Sequence, residues 1–187
     1  GVIGAAPTAA KYEPVTTINW RDTMVWCNAY SEMSGFTPVY SYSSATIKDS
    51  RDTNATACDG AVPNWSANGY RLPTEGEWQY AASNKGATAW NWASGGTGAY
   101  TGVAATDYPN FSPVAWYGNS ATSPNGNANS TKPVGTTTNP SALTLRDMSG
   151  NVWEWCWDWY GAYPGASTNY RGPVTGSNRI LRGGCYI

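Results

Sequence analysis

Residues 150–163 read GNVWEWCWDWYGAY, with Asp147 three residues upstream. Glu154 and Asp158 alternate there with Trp153, Trp155, Trp157 and Trp159. Period-two alternation predicts a β-strand, because a strand sends successive side chains to opposite faces. One face then carries the four indoles, each with roughly 150–250 Å² of largely apolar surface that a core or a ligand must cover. The other carries Val152, Glu154, Cys156 and Asp158. A carboxylate set between a valine and a cysteine is costly to bury alone, so Glu154 calls for a cation or for several donors. In the ion-pair version of this reading, Asp147 caps the turn and Glu154 meets an arginine such as Arg71 or Arg182.

Other chemistries are narrowed by composition. The chain has no histidine, which removes His-ligated zinc and both Ser-His-Asp and Cys-His catalysis. Its cysteines, Cys27, Cys58, Cys156 and Cys185, show no C-x-x-C spacing, so neither a zinc knuckle nor a thioredoxin-like motif is supported. They leave room for one or two disulfides. As a reactive group Cys185 would need a depressed pKa and a nearby base or metal. As a structural one it is a small buried thiol or a disulfide partner, Cys156 among the choices. The structural reading is preferred, since free cysteine is among the most buried residue types.

These groups must be held by a domain of modest regular structure. The 187 residues suit one domain over 1–187. A formal charge of −1 with 12% charged residues offers no footprint for nucleic acid or an anionic membrane. Eleven Trp and thirteen Tyr supply enough aromatic surface to order the chain. The Asn, Ser, Thr and Gly content predicts many turns. No apolar run is long enough for membrane insertion, and no basic leader opens the sequence. The Lys-poor, Asn/Ser/Thr-rich surface points to an extracellular, cell-surface or periplasmic location.

Two helices are predicted. The first spans 20–34, with Asn19 as N-cap, Asp22 near the positive end, Gly35 as the stop, and an apolar stripe of Met24, Cys27 and Tyr30 with Val25 and Ala29. The second spans 74–84, opened by a Thr74/Glu77 capping box, with Trp78, Ala81 and Ala82 inward. Residues 37–50 hold two short β-prone runs. Residues 49–69 read as a long polar loop, 86–110 as an irregular Gly/Ala/Thr excursion, SPVAWYGNSA as a short strand, and 121–142 as loop.

The ordered set GYRLPTEGEWQYAA, KPVG, DMSGNVWEWCWDWY and RILRGG, with the earlier NWRDTMVWCNAYSEMSGFTPVY, resembles the formylglycine-generating enzyme/sulfatase-modifying factor family over roughly nine-tenths of the chain. The resemblance implies an α+β fold: the formylglycine-generating-enzyme type of C-type-lectin-like fold, with two helices, short strands and much irregular loop. It also implies a structural calcium ion held by the Asp147 and Glu154 carboxylates and the Gly150 and Val152 carbonyls. Hard oxygen ligands of this mixed kind suit calcium.

Some members of the family are copper-dependent oxidases that turn a protein cysteine into formylglycine; others are binders without catalysis. The resemblance places the oxidases' copper thiolates just past RGGCYI, so copper is not expected here. Cys185 stands where the family usually has serine, and TLRDM replaces the usual GLYDM. The family's opening segment and closing strand are not recognisable. The expectation is therefore a non-catalytic ligand-binding or surface-display module with no catalytic residue, bacterial or phage in kind. It would offer a cleft near Trp153, Arg182 and Cys185 to a protein or glycan ligand. The alternatives are a formylglycine-generating oxidase completed by residues outside this sequence, and a self-associating surface or filament subunit that forms homo-oligomers.

Overall fold

Asn19 sets the start of helix α1, Trp20–Met33, through a reciprocal capping box. Its side chain accepts from the Asp22 amide at 3.0 Å, and the Asp22 carboxylate accepts from the Asn19 amide at 2.9 Å. Gly35, at φ +74°, ends the helix in the left-handed region as expected. The computed structural model describes residues 12–83, 111–117, 130–137, 140–141 and 143–186. The irregular stretch expected over 86–110 lies outside the described residues, apart from its surroundings at 83 and 111.

After α1 come β1 (Tyr40–Tyr42) and β2 (Ala45–Thr46), a 3-10 turn at Asp52–Asn54, α2 (Ala55–Asp59), β3 (Val62–Pro63), α3 (Glu75–Ala82), β4 (Glu154–Trp159) and β5 (Arg179–Arg182). A three-stranded sheet runs β2-β1-β3, antiparallel throughout, and β4 pairs with β5. The α+β class and lectin-like loop content are as expected. The third helix and β3 are not: they arise within 49–69, which the sequence presents as polar loop. The Cys58 thiol, fully buried and within 3.3 Å of the Asp49 carbonyl, anchors that short helix. The strand expected in SPVAWYGNSA is reduced, among its described residues, to one parallel bridge between Trp116 and Gly150.

The described residues pack as two compact units. One draws on the described residues within 1–16, 75–154 and 181–187, the other on those within 17–74 and 155–180. The second unit holds a core of Trp20, Met24, Cys27, Val39, Tyr40, Ile47, Cys58, Leu72 and Trp157. α1 turns Trp20, Met24, Cys27, Asn28 and Ser31 inward. The expected stripe is thus rotated: Ala29 faces out, and two polar residues take its place. Both are hydrogen-bonded, as burial requires. Ser31 Oγ donates to the Cys27 carbonyl and accepts from the Tyr70 amide, while Asn28 donates to the Tyr40 and Ile47 carbonyls and accepts from the Tyr40 amide.

β4 corrects the picture of one indole face and one mixed face. Cys156, Trp157 and Asp158 are all buried, so the strand is covered on both sides at its centre. Trp153 precedes the strand and stands 53% exposed. Trp157 donates its amide to the Pro73 carbonyl and stacks on Tyr40 at 5.2 Å, while the Trp20 indole N–H donates to the Cys156 carbonyl. Arg179 brings its guanidinium to 3.7 Å from the Trp20 ring centre and 3.5 Å from that of Trp159, and donates to the Trp157 carbonyl at 2.5 Å. Loss of water lowers its pKa to about 10, still cationic at neutral pH.

All four cysteines carry free thiols. A Cys156–Cys185 disulfide is therefore absent. Cys27, Cys58 and Cys156 are buried, whereas Cys185 is half-buried. Burial pushes the Cys27 thiol up to about 11, which keeps it protonated and inert.

Candidate functional site

Asp147, Gly150, Val152, Trp153, Glu154, Arg182 and Cys185 all belong to the first unit. The loop that carries the first five is forced into shape by local contacts. Asp147, Gly150 and Asn151 adopt φ of +60°, +82° and +66°. Left-handed backbone at non-glycine residues is costly and persists only where surroundings fix it. Those surroundings are visible. Gly150 donates to the Gly183 carbonyl at 2.7 Å, Asn151 donates to the Trp116 carbonyl at 2.9 Å, and Trp116 donates to the Ser149 carbonyl at 3.1 Å. The Asn151 side chain is fully buried and brackets Lys132, accepting from its amide and donating to its carbonyl.

Asp147 is held from the KPVG loop. One carboxylate oxygen accepts from the Gly135 amide at 2.5 Å and the other from the Thr137 hydroxyl at 3.4 Å. Glu154, half-buried, accepts from the indole N–H of Trp78 on α3. A neutral donor thus stands where the sequence suggests an arginine: Arg182 pairs with Glu75 at 2.5 Å, and Arg71 lies over the Trp65 ring and donates to the Leu72 carbonyl. Nothing in the sequence spacing singles out Trp78 over the other indoles.

Glu154 titrates above the ordinary carboxylate range. Removal from water raises its pKa, the Trp78 hydrogen bond opposes this, and the negative charge of Asp147 raises it further. Two carboxylates that repel each other, one of them partly desolvated, are an arrangement that a cation relieves. Glycine also leaves room beside them. A Cβ on Gly183 would sit 3.5 Å from the Met148 carbonyl and 3.7 Å from the Val152 carbonyl. Among the described residues no three His, Cys, Asp or Glu side chains cluster, so an ion here needs backbone carbonyls beside the two acids. The donors are then all hard oxygens, which fits calcium and does not fit copper(I).

In the metal-free protein, a raised folded-state pKa means that the Glu154 contribution to stability is complete below about 4.5 and is lost as pH rises through the folded value. Metal-free Glu154→Gln is therefore expected to melt no lower than wild type at pH 7 and to show a flatter pH dependence above the ordinary carboxylate range. With calcium the sign reverses. At about 100-fold over Kd, calcium should stabilise wild type by ~2.7 kcal/mol, or roughly 5–10 °C, and this increment should vanish in Glu154→Gln. Thermal melts in calcium and in chelator decide the matter; a wild-type midpoint indifferent to chelation would remove calcium from this loop.

Of the residues expected to line a cleft, Trp153 is exposed, Arg182 is engaged with Glu75 and lies 5.9 Å from the Trp78 ring centre, and Cys185 follows two left-handed glycines, Gly183 and Gly184. The Tyr186 amide returns to the Asn151 carbonyl at 3.0 Å. Thus Arg182 joins the Glu75–Trp78–Glu154 group, while Trp153 faces solvent.

Three helices, short antiparallel strands and a loop held by left-handed residues leading into β4 make an α+β chain of the formylglycine-generating-enzyme, lectin-like type. The chain belongs to the sulfatase-modifying factor enzyme 1-like domain family, whose profile matches residues 4–187. It is 34% identical over 203 residues to Chaperone protein LppX of Paenibacillus barcinonensis, covering all of this chain and 64% of that protein. It is 37% identical over 133 residues to the Formylglycine-generating enzyme of Streptomyces coelicolor, covering 68% of this chain and 38% of the enzyme. Among solved structures, Treponema denticola variable protein 1 matches with a TM-score of 0.72 at 29% identity, over 99% of this chain and 65% of that one. CarF matches with a TM-score of 0.64, also at 29% identity, over 94% and 58%. The chain thus spans two thirds or less of each of these proteins. Among the described residues no helix is long and apolar enough to cross a membrane.

Proposed function

We propose that these residues form a non-catalytic ligand-binding or surface-display module, its loop 147–154 stabilised by calcium and its partner a protein or glycan. The observation that carries the reading is the placement of the thiols. Copper(I) chemistry of the formylglycine type needs paired thiolates. Here Cys27, Cys58 and Cys156 are buried in the second unit, and burial raises the Cys27 and Cys58 thiols, leaving Cys185 as the one half-accessible thiol. Similarity over the whole chain to a protein named as a chaperone and to a variable protein agrees with a binding role. An extracellular, cell-surface or periplasmic location is part of the same proposal.

The oxidase reading draws on the Streptomyces enzyme and is tested directly. The purified chain is incubated with copper(I), oxygen and a cysteine-containing sulfatase peptide, and the aldehyde is sought by mass spectrometry. No conversion above a protein-free control is expected. Turnover that disappears in Cys185→Ser would establish the oxidase instead.

A further inference from the structure

The second unit carries an aromatic ladder that neither the calcium loop nor the core absorbs. Trp26 and Tyr30, one turn apart on the outer face of α1, stack at 4.9 Å with an interplanar angle of 17°. Tyr30 meets Tyr70 at 4.5 Å, and Tyr70 meets Phe36 at 5.8 Å. These rings are not core. Trp26 is 61% exposed, Phe36 40% and Tyr70 39%. Core aromatics of this unit, such as Tyr40 and Trp157, are buried to within a tenth of full coverage, so the ladder is a surface feature and not an overflow of the interior.

Three observations limit what it can hold. Its polar atoms are available: among the described residues the Trp26 indole N–H and the Tyr30 and Tyr70 hydroxyls have no hydrogen-bond partner. Its charges are not. Glu32, on the same helix, is paired with Lys48 at 2.7 Å, and Arg71 is committed to the Trp65 ring and the Leu72 carbonyl. Its size is small. At roughly 150–250 Å² per aromatic side chain, the exposed fractions of Trp26, Phe36 and Tyr70 sum to about 200–350 Å². A stable protein interface takes about 800 Å² from each partner. A patch of a few hundred Å² is instead the size at which exposed apolar surface on a monomer is often functional.

We infer that the Trp26–Tyr30–Tyr70–Phe36 ladder is a binding platform for a neutral oligosaccharide. Such a ligand offers apolar C–H faces to the outer face of Trp26 and to the ring edges, and hydroxyls to the free indole and phenol groups. It needs no counter-charge. The rings hold one another in place, so little side-chain entropy is lost on binding. This inference rests on the reading of the domain as a binding module and deepens it by naming ligand class and residues. The calcium melts and the aldehyde assay test that reading separately.

The probes are cellohexaose, xylohexaose and mannohexaose, titrated to millimolar concentration and followed by intrinsic tryptophan fluorescence and calorimetry. Saturable binding of at least one is expected. Trp26→Ala should weaken it tenfold or more while leaving the circular dichroism and melting unchanged, because the side chain is mostly exposed. Tyr70→Phe, which removes only the hydroxyl, should weaken it two- to fivefold. Absence of binding to all three sugars, or binding indifferent to Trp26→Ala, overturns the inference. So does a dimer seen by sedimentation that dissociates in Trp26→Ala, since it would assign the ladder to self-association.

Discussion

Gly150→Ala is expected to unfold the first unit. A Cβ at this position would lie 1.7 Å from the Trp116 carbonyl oxygen and 2.5 Å from its carbon, both backbone atoms that no rotamer change can move. The residue also sits at φ +82°, where a side chain adds left-handed strain of roughly 1–2 kcal/mol. Relief requires Trp116 to withdraw, which breaks the bridge between Trp116 and Gly150 together with the flanking bonds from Asn151 to Trp116 and from Trp116 to Ser149. Strain and lost hydrogen bonds together reach ~4–5 kcal/mol, the upper end for a single substitution. Chemical denaturation should show the loss, and any calcium response should go with it. Gly184→Ala supplies the control. Gly184 has nearly the same φ, +77°, but nothing within 4 Å of its Cβ position, so the strain alone, ~1–2 kcal/mol, should appear. Equal effects of the two substitutions would mean that the close approach of Trp116 is not a feature of the folded protein.

The same loop shows what sequence can and cannot convey. Its outline was readable, because a period-two run of tryptophans after a glycine-rich turn has few alternatives to a strand. The ends of α1 were readable too, since Asn19, Asp22 and Gly35 are local signals whose effect is confined to neighbours in the chain. The partner of Glu154 was not. Trp78 lies 76 residues away, and the choice between an indole and an arginine is settled by how α3 packs. Arg182 was reasonable on charge alone, yet Glu75, in the first turn of α3, takes it. α2 leaves no signal in the sequence because RDTNATACDG is polar, only five residues of it are helical, and the helix lacks a side-chain cap; its stability comes from Cys58 in the core. In each missed case the deciding contact is tertiary, and no spacing rule encodes it.

Asn28 is the other position where one side chain decides much, and Asn28→Leu is expected to destabilise the second unit by about 3–4 kcal/mol. The residue is 1% exposed in the middle of α1. Its amide nitrogen donates to the Tyr40 carbonyl at 2.8 Å and to the Ile47 carbonyl at 2.9 Å, and its oxygen accepts from the Tyr40 amide at 3.0 Å. Leucine fills the space but serves none of them. The Tyr40 carbonyl keeps a second donor, the Ile47 amide at 3.2 Å. The Tyr40 amide loses Asn28 Oδ1 as its acceptor, and the Ile47 carbonyl loses the Asn28 amide as its donor. Two buried backbone groups are therefore left unsatisfied, each at about 1–3 kcal/mol. The melting midpoint should fall by ~10 °C. Asn28→Asp separates hydrogen bonding from packing. An ionised carboxylate keeps the acceptor for Tyr40 but turns its second oxygen on two carbonyl oxygens, whereas the protonated acid can donate to one of them. Its pKa in the folded state is therefore raised, so the variant's stability should be greatest below the unfolded carboxylate value of about 4 and decline as pH rises. A leucine variant with the wild-type midpoint, or an aspartate variant without that pH dependence, would show that the β1 backbone is held by something other than Asn28.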